Sequence, residues 1–225
     1  AWPYLWQREA RLRSDVQALA ARGCPVLLNT PWSAGESYSN AAILVAEQGV
    51  VGRYDKRHLV PFGEYVPAWL PVPGAVARLV GSFVAGSEAR AIPWNGESLG
   101  MAICYEIVFP GEVASLVRGG ATVLVTITND AWYGDTAAPW QHLRAARFRA
   151  AENRRPVLRA AITGVSAAIG PDGAVEGQLG VGEEGVIATS VRGRSDRTLY
   201  SRAPWASPAV CLLAALACCR RSPTQ

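Results

Sequence analysis

Residues 7–22 repeat apolar side chains at helical spacing, with Leu12, Val16, Leu19 and Ala20 on one face and Arg8, Arg11, Asp15 and Arg22 on the other. This pattern predicts an amphipathic helix. Residues 25–30 (PVLLNT) are a short apolar run, the length of a buried strand. Residues 39–45 and 50–54 flank Glu47-Gln48-Gly49 and predict a hairpin. A second hairpin is expected at Asn95-Gly96, joining 91–94 to 98–103, because this dipeptide tolerates the positive φ angles of a tight two-residue loop. A short helix at 112–117, a β-branched run at 121–127 (ATVLVTI) typical of a fully buried strand, and a helix at 139–153 follow. The pattern closes with strands at 156–162 and 165–169, a turn at Pro171-Asp172-Gly173 and a last strand at 185–191. Strands outnumber helices, and helices fall between groups of strands. That order predicts an α/β fold of two packed sheets with helices outside.

The alternation stops near residue 200. Residues 208–219 are apolar on every helical face and precede Arg220-Arg221. A surface helix would show a polar face. The stretch therefore reads as a shortened transmembrane helix, with Trp205 at the interface and the arginine pair on the cytoplasmic side. Its twelve residues fall short of the ~20 that span a bilayer, and a packed C-terminal helix is the other reading. The chain starts Ala1-Trp2-Pro3, with neither methionine nor signal peptide, and is read as lacking its natural N-terminus.

The chain has 225 residues, 50% hydrophobic and 18% charged, enough for one large domain or two small ones with a sizeable core. A disordered tail is excluded. The net charge of +4 is modest and the arginines are scattered, without the dense basic stripe of a nucleic-acid binder. Arg144, Arg147, Arg149, Arg154 and Arg155 mostly share a helix with Glu152 and read as a solvated or membrane-facing surface. The five cysteines form no CxxC pair and only His58 and His142 could join them. Neither a disulfide framework nor a metal site is expected. Residues 180–185 (GVGEEG) match GxGxxG formally, but two acids would face the pyrophosphate and a strand follows, so a turn is expected.

The candidate chemistry lies in two segments. Cys104 ends an apolar strand and is followed by Tyr105 and Glu106, while Lys56 and Glu64 share a loop punctuated by proline and glycine. A thiol near an ammonium group ionises more readily, and the thiolate is the nucleophile. A carboxylate alongside can take and return protons. Cysteine, lysine and glutamate together suit acyl transfer through a thioester. Each residue also has an ordinary reading: Cys104 as a buried structural thiol, Lys56 and Glu64 as surface charges. A dyad of Cys104 with His58 or His142 is a further alternative. Residues 128–135, with Trp132 and Tyr133, form either a polar loop with two anchors or a strand-end loop lining a pocket at Cys104.

These segments resemble the nitrilase superfamily, and within it the apolipoprotein N-acyltransferases of bacterial envelopes. The resemblance is carried by 56–67 (KRHLVPFGEYVP), 103–107 (ICYEI), 128–134 (TNDAWYG) and 139–142 (PWQH), with a weaker match at 169–173. It implies an αββα sandwich over residues 1–200, followed by a juxtamembrane segment and partial transmembrane helix at 201–225. It implies a Glu-Lys-Cys triad in which Cys104 is the nucleophile and Lys56 the lysine, with the triad glutamate just upstream of residue 1. Glu64 matches a second essential carboxylate. Tyr105, Glu106 and Trp132 are expected to contact substrate.

The implied substrates are a phospholipid, usually phosphatidylethanolamine, as acyl donor and a diacylglyceryl-cysteine lipoprotein as acceptor, with no cofactor and no nucleic acid. The implied setting is the bacterial inner membrane, with the catalytic domain on the extracytoplasmic side. The apolar, proline-stiffened loop at 67–73 reads equally as a lipid contact or a packed loop. A soluble amidase of the same superfamily and a non-catalytic scaffold remain the other functional readings.

Overall fold

Strand β2 (Ser37–Ala46) is apolar on both faces, and that decides the layering. The computed structural model describes residues 5–35, 37–67, 69–70 and 83–221. In it β1 (Val26–Ala34), β2 and β3 (Gly49–Asp55) form an antiparallel sheet in that order. On one face of β2, Ala41, Ile43 and Val45 pack with Trp6, Val16 and Ala20, which brings in helix α1 (Ala10–Ala20). On the other face, Ala42 and Leu44 join Tyr54 in the main core, together with residues of a second sheet. A side chain at Gly52 would collide with Ile92, so the two sheets approach closely there.

The second sheet has six strands in chain order: β4 (Ile92–Trp94), β5 (Glu97–Met101), β6 (Val123–Asn129), β7 (Val157–Ile162), β8 (Ser166–Ile169) and β9 (Val175–Leu179). Strands β5, β6 and β7 run parallel and the outer pairs antiparallel. Parallel neighbours need crossover connections, and α2 (Pro110–Arg118) and α3 (Ala138–Asn153) supply them. Val113, Leu116 and Val117 of α2 and Leu143, Ala146 and Ala150 of α3 are buried in the core. The order of layers is therefore helix, sheet, sheet, helix. Local chemistry fits these boundaries. Asn95 and Gly96 both have positive φ, 47° and 79°, as the hairpin loop between β4 and β5 requires. Pro110 and Pro139 lie in the first turns of α2 and α3, where proline costs no hydrogen bond.

Four expectations are corrected. Residues 185–191 form no strand; Val186 is 91% exposed. The last strand is instead β9, whose mixed composition hid it and which exists by pairing with β8. Leu19 leaves the apolar face of α1 and is 48% exposed. Arg149 and Arg155 are not surface charges. Arg149 binds Glu152 and the Val108 carbonyl, and Arg155 donates to the carbonyls of Ala121, Asn153 and Arg154. Buried guanidinium groups need such partners.

The fourth correction concerns the C-terminal apolar stretch. After the short helix α4 (Leu199–Arg202) it forms α5 (Ala206–Arg221), 16 residues long. At 1.5 Å per residue that is about 24 Å, less than the ~30 Å hydrocarbon layer. Among the described residues no helix is long and apolar enough to cross a membrane. Nor is α5 packed: Val210, Leu212, Leu213 and Leu216 are more than half exposed.

This difference in burial is measurable. Leu124→Ala, at a fully buried position on β6, should cost about 2–5 kcal/mol. Leu212→Ala, at an exposed position on α5, should stay within about 0.5 kcal/mol. Urea denaturation of the two variants against the parent chain checks both.

Candidate active site

Lys56 follows β3 directly, Cys104 stands three residues beyond β5, and Asp130 follows β6. Crevices at the carboxyl ends of parallel strands are where open α/β sheets present reactive groups. Lys56 is only 1% exposed, and a buried ammonium group is costly unless paired. Its Nζ donates to Glu64 Oε2 at 2.8 Å. Glu64 is fixed in turn: Asn40 Nδ2 donates to its Oε1 at 2.6 Å, and the Val60 N–H donates to its Oε2 at 2.7 Å. The Pro61-Phe62-Gly63 sequence makes the tight turn that returns Glu64 to Lys56, with the Phe62 N–H donating to the Tyr65 carbonyl.

Cys104 opens a short 3-10 turn, Cys104–Val108. Its φ is +54°, a left-handed value that costs a non-glycine residue about 1–3 kcal/mol and is found mostly at functional sites. The surroundings that hold it are centred on Glu106, which is 2% exposed. Its carboxylate accepts from the backbone N–H groups of Ile103 (2.7 Å), Arg57 (2.7 Å) and His58 (3.1 Å) and from the Tyr54 hydroxyl (3.0 Å). Burial pushes the Glu106 carboxyl above the usual carboxylate range, and these four bonds oppose that shift. Burial, then the Glu106 charge, also raises the Tyr54 phenol. Glu106 is thus an internal brace joining the cysteine turn to the lysine loop. The expected substrate contact is not open to it, because its oxygens already serve four donors.

Trp132 is 82% exposed, and its half-buried neighbour Tyr133 takes the inner position. Tyr105 is half-buried, edge-on to Phe109 at 5.1 Å. His58 stacks on Phe109 with ring centroids 3.8 Å apart. Of the apolar loop at 67–73, residues 68 and 71–73 lie outside the described residues, and Trp69 is 79% exposed.

A second cluster was only partly legible. Asp130 accepts from Thr128 Oγ1 (2.8 Å) and Arg159 Nη2 (2.6 Å) and pairs with His142 Nδ1 (3.3 Å), while His142 Nε2 meets the Tyr133 hydroxyl at 3.4 Å. Burial, then the charges of Cys104 and Asp130, push the Tyr133 phenol up to about 12. Burial works against the Asp130 carboxylate, but the His142 bond, the Arg159 charge and Thr128 outweigh it and hold its pKa below the ordinary value. Arg159 was missed. A lone arginine inside the otherwise apolar run 156–162 was the available signal. No group of three or more His, Cys, Asp or Glu residues is arranged to hold a metal ion among the described residues.

Residues 16–197 match the model of the carbon-nitrogen hydrolase family. The chain is 38% identical over 235 aligned positions to an apolipoprotein N-acyltransferase of Geobacter metallireducens, a match covering 99% of the chain and 45% of that protein. It is 40% identical to the apolipoprotein N-acyltransferase of Ralstonia nicotianae over 82% of the chain and 37% of that protein. The chain therefore spans less than half the length of these curated relatives. Among solved structures it is similar to an amidase of Nesterenkonia sp. AN1 that carries acrylamide on its active-site cysteine, with TM-score 0.57 and 26% identity over 75% of the chain and 64% of the amidase. A carbon-nitrogen hydrolase from Helicobacter pylori shares the fold at TM-score 0.58 and 18% identity, over 76% and 63% of the two chains.

The depressed Asp130 pKa makes a pH-dependent contribution to stability. The unfolded-state value is about 3.9, so the contribution is fully present above about pH 4 and is lost as pH falls through the lower folded-state value. Asp130→Asn should therefore lower the urea midpoint at pH 7, and its gap to the parent chain should narrow as the pH is taken from about 4 towards 2. Glu106→Gln places an amide where three N–H groups and a hydroxyl need acceptors. It should cost about 1.5–3 kcal/mol per lost charged bond, read as a drop in the same midpoint at pH 7.

Proposed function

The chain belongs to the carbon-nitrogen hydrolase family, and within it we propose that it is the catalytic part of an apolipoprotein N-acyltransferase. The observation that carries the chemistry is the buried Lys56–Glu64 pair, joined through Glu106 to the turn that strains Cys104. The names of the relatives at 38% and 40% identity support the choice of substrates.

The Cys104 thiolate attacks the ester carbonyl of a phospholipid. The carbonyl carbon gains a C–S bond and loses its bond to the glycerol oxygen, which leaves, once protonated, as the alcohol of a lysophospholipid. The α-amino group of a diacylglyceryl-cysteine lipoprotein then attacks the thioester, forming the amide and returning the thiol. Lys56 carries the positive charge that stabilises the oxyanion of each tetrahedral intermediate. Glu64 holds that ammonium group in place. Tyr105 and Trp132 are proposed to line the substrate path. The proposed setting is the extracytoplasmic face of the bacterial inner membrane. The exposed apolar residues of α5, with Trp205 at 69% exposure, suit contact with lipid.

The likeness to an amidase structure favours a second reading, hydrolysis of small amides. The two differ in what discharges the thioester: an acyltransferase must exclude water until an amine arrives. In the full-length protein, incubation with phosphatidylethanolamine should give a hydroxylamine-sensitive acyl adduct on Cys104, seen by mass spectrometry and absent in Cys104→Ser. Lys56→Ala should lower the rate of adduct formation by about 10²–10³-fold. The isolated adduct should decay slowly in water and quickly with a diacylglyceryl-cysteine peptide. Equal decay with and without the peptide, together with turnover of soluble amides, would establish the amidase instead.

A further inference from the structure

Asn40 touches both members of the Lys56–Glu64 pair. It lies on β2, the central strand of the first sheet. Its carbonyl accepts from the Lys56 N–H at 2.8 Å, and its side-chain Nδ2 donates to Glu64 Oε1 at 2.6 Å. The orientation of that amide is set from behind. Asn29 on β1 is 6% exposed, and its Nδ2 donates to the Ala41 carbonyl at 2.9 Å and to Asn40 Oδ1 at 2.6 Å. A backbone carbonyl can only accept. The Asn29 nitrogen therefore faces it, the Asn40 oxygen faces that nitrogen, and the Asn40 nitrogen is left for Glu64. Donors and acceptors alternate in this way from the backbone of β2 to the carboxylate beside Lys56. Glu64 itself stands on a loop, and the Val60 N–H that also holds it belongs to the same loop. Asn40 ties that carboxylate to the sheet.

We propose that Asn40 is a positioning residue for acyl-enzyme formation, acting through Glu64 and Lys56; this rests on the acyl-transfer reading above. A lysine ammonium group rides on a flexible four-carbon stem, so Lys56 Nζ stays where its partner carboxylate holds it. Asn40 fixes that carboxylate with its side chain and the Lys56 backbone with its carbonyl. The next residue, Arg57, is bound through its N–H to Glu106, as is Ile103 beside Cys104. The ammonium group and the cysteine turn are thereby held in one frame, and a charge held in this way need not reorganise as an oxyanion develops. A misplacement of about 1 Å can cost about 10²-fold in rate. Asparagine fits both of its neighbours, accepting from Asn29 and donating to Glu64. An aspartate there would set a second carboxylate against Glu64, and an alanine would leave Glu64 Oε1 without its donor.

The test uses the full-length protein, with phosphatidylethanolamine as donor and acetamide as the soluble alternative, and follows the acyl adduct on Cys104 by mass spectrometry. Asn40→Ala should lower the rate constant of acylation by about 10²-fold and leave the half-saturating donor concentration unchanged. In a Lys56→Ala background the same substitution should cost nothing further, because Asn40 acts through that ammonium group. Asn40→Asp should be slower still, with two carboxylates facing each other. Adding Glu64→Gln to Asn40→Asp reverses the pattern: the new amide donates to the new carboxylate, and its oxygen still accepts from Lys56 and Val60. This swapped pair should recover about tenfold over Asn40→Asp alone, and it decides the matter by itself if Asn40→Ala fails to fold. Acylation of Asn40→Ala at the parent rate overturns the proposal. So does an undiminished loss in the Lys56→Ala background, or a swapped pair no faster than Asn40→Asp; either makes Asn40 a structural residue only. A parent acylated by acetamide and not by the phospholipid removes the lipid reading, and the role of Asn40 is then decided on acetamide. A parent acylated by neither removes both.

Discussion

Glu106 accepts hydrogen bonds from the backbone of Ile103, Arg57 and His58 and from the Tyr54 hydroxyl, and the placement of Lys56 relative to Cys104 depends on those four bonds. Bonds to a charged group contribute about 1.5–3 kcal/mol each, so two of them offset the ~1–3 kcal/mol of a left-handed backbone at Cys104. The strain is thus stored at Cys104, the proposed nucleophile, and balanced a few residues away. The same carboxylate reaches two sheets. Tyr54 lies on β3 of the first sheet, and the Ile103 turn follows β5 of the second. One buried group therefore fixes the joint at which the two layers present Lys56 and Cys104.

A similar economy governs the two charge pairs. Lys56 with Glu64 and Arg159 with Asp130 each place a cation and a carboxylate in the interior. Burial alone would make such charges expensive. Each carboxylate is also bound by further donors: Asn40 and Val60 for Glu64, Thr128 for Asp130. The pairs are rigid for that reason, and rigidity is what a reaction needs from groups that must not reorganise as charge develops. The outward faces behave differently. Trp132, Trp69 and the apolar residues of α5 are exposed, which suits a protein whose proposed substrates arrive from a lipid surface.

The family explains why both readings of the chemistry share a mechanism. Both proposed readings pass through an acyl group on Cys104, and they part only at the acceptor. Nothing in the Lys56–Glu64–Cys104 arrangement is specific to an amine or to water. Selection between the two proposed readings belongs to the surfaces that admit or exclude water.

Short-range chemistry written along the chain determined the elements. The β-branched run ending at Ile127 became the central buried strand β6, Asn95-Gly96 turned the second hairpin, and the two prolines opened α2 and α3. Cys104, Lys56 and Glu64 were also visible as candidates, because a thiol at a strand end and a charged loop among apolar residues stand out locally. Tertiary structure alone decided what each group does. Glu106 resembled a neighbour of Cys104, yet three of its four partners lie 48 to 52 residues away along the chain, at His58, Arg57 and Tyr54. The resemblance singled out Trp132, and only packing showed that ring to be exposed and its neighbour Tyr133 half-buried. The 185–191 stretch has strand composition but no partner strand, while the less apolar β9 has one. Backbone pairing and burial of charge are settled by contacts between distant segments, and those contacts exist only once the chain has folded.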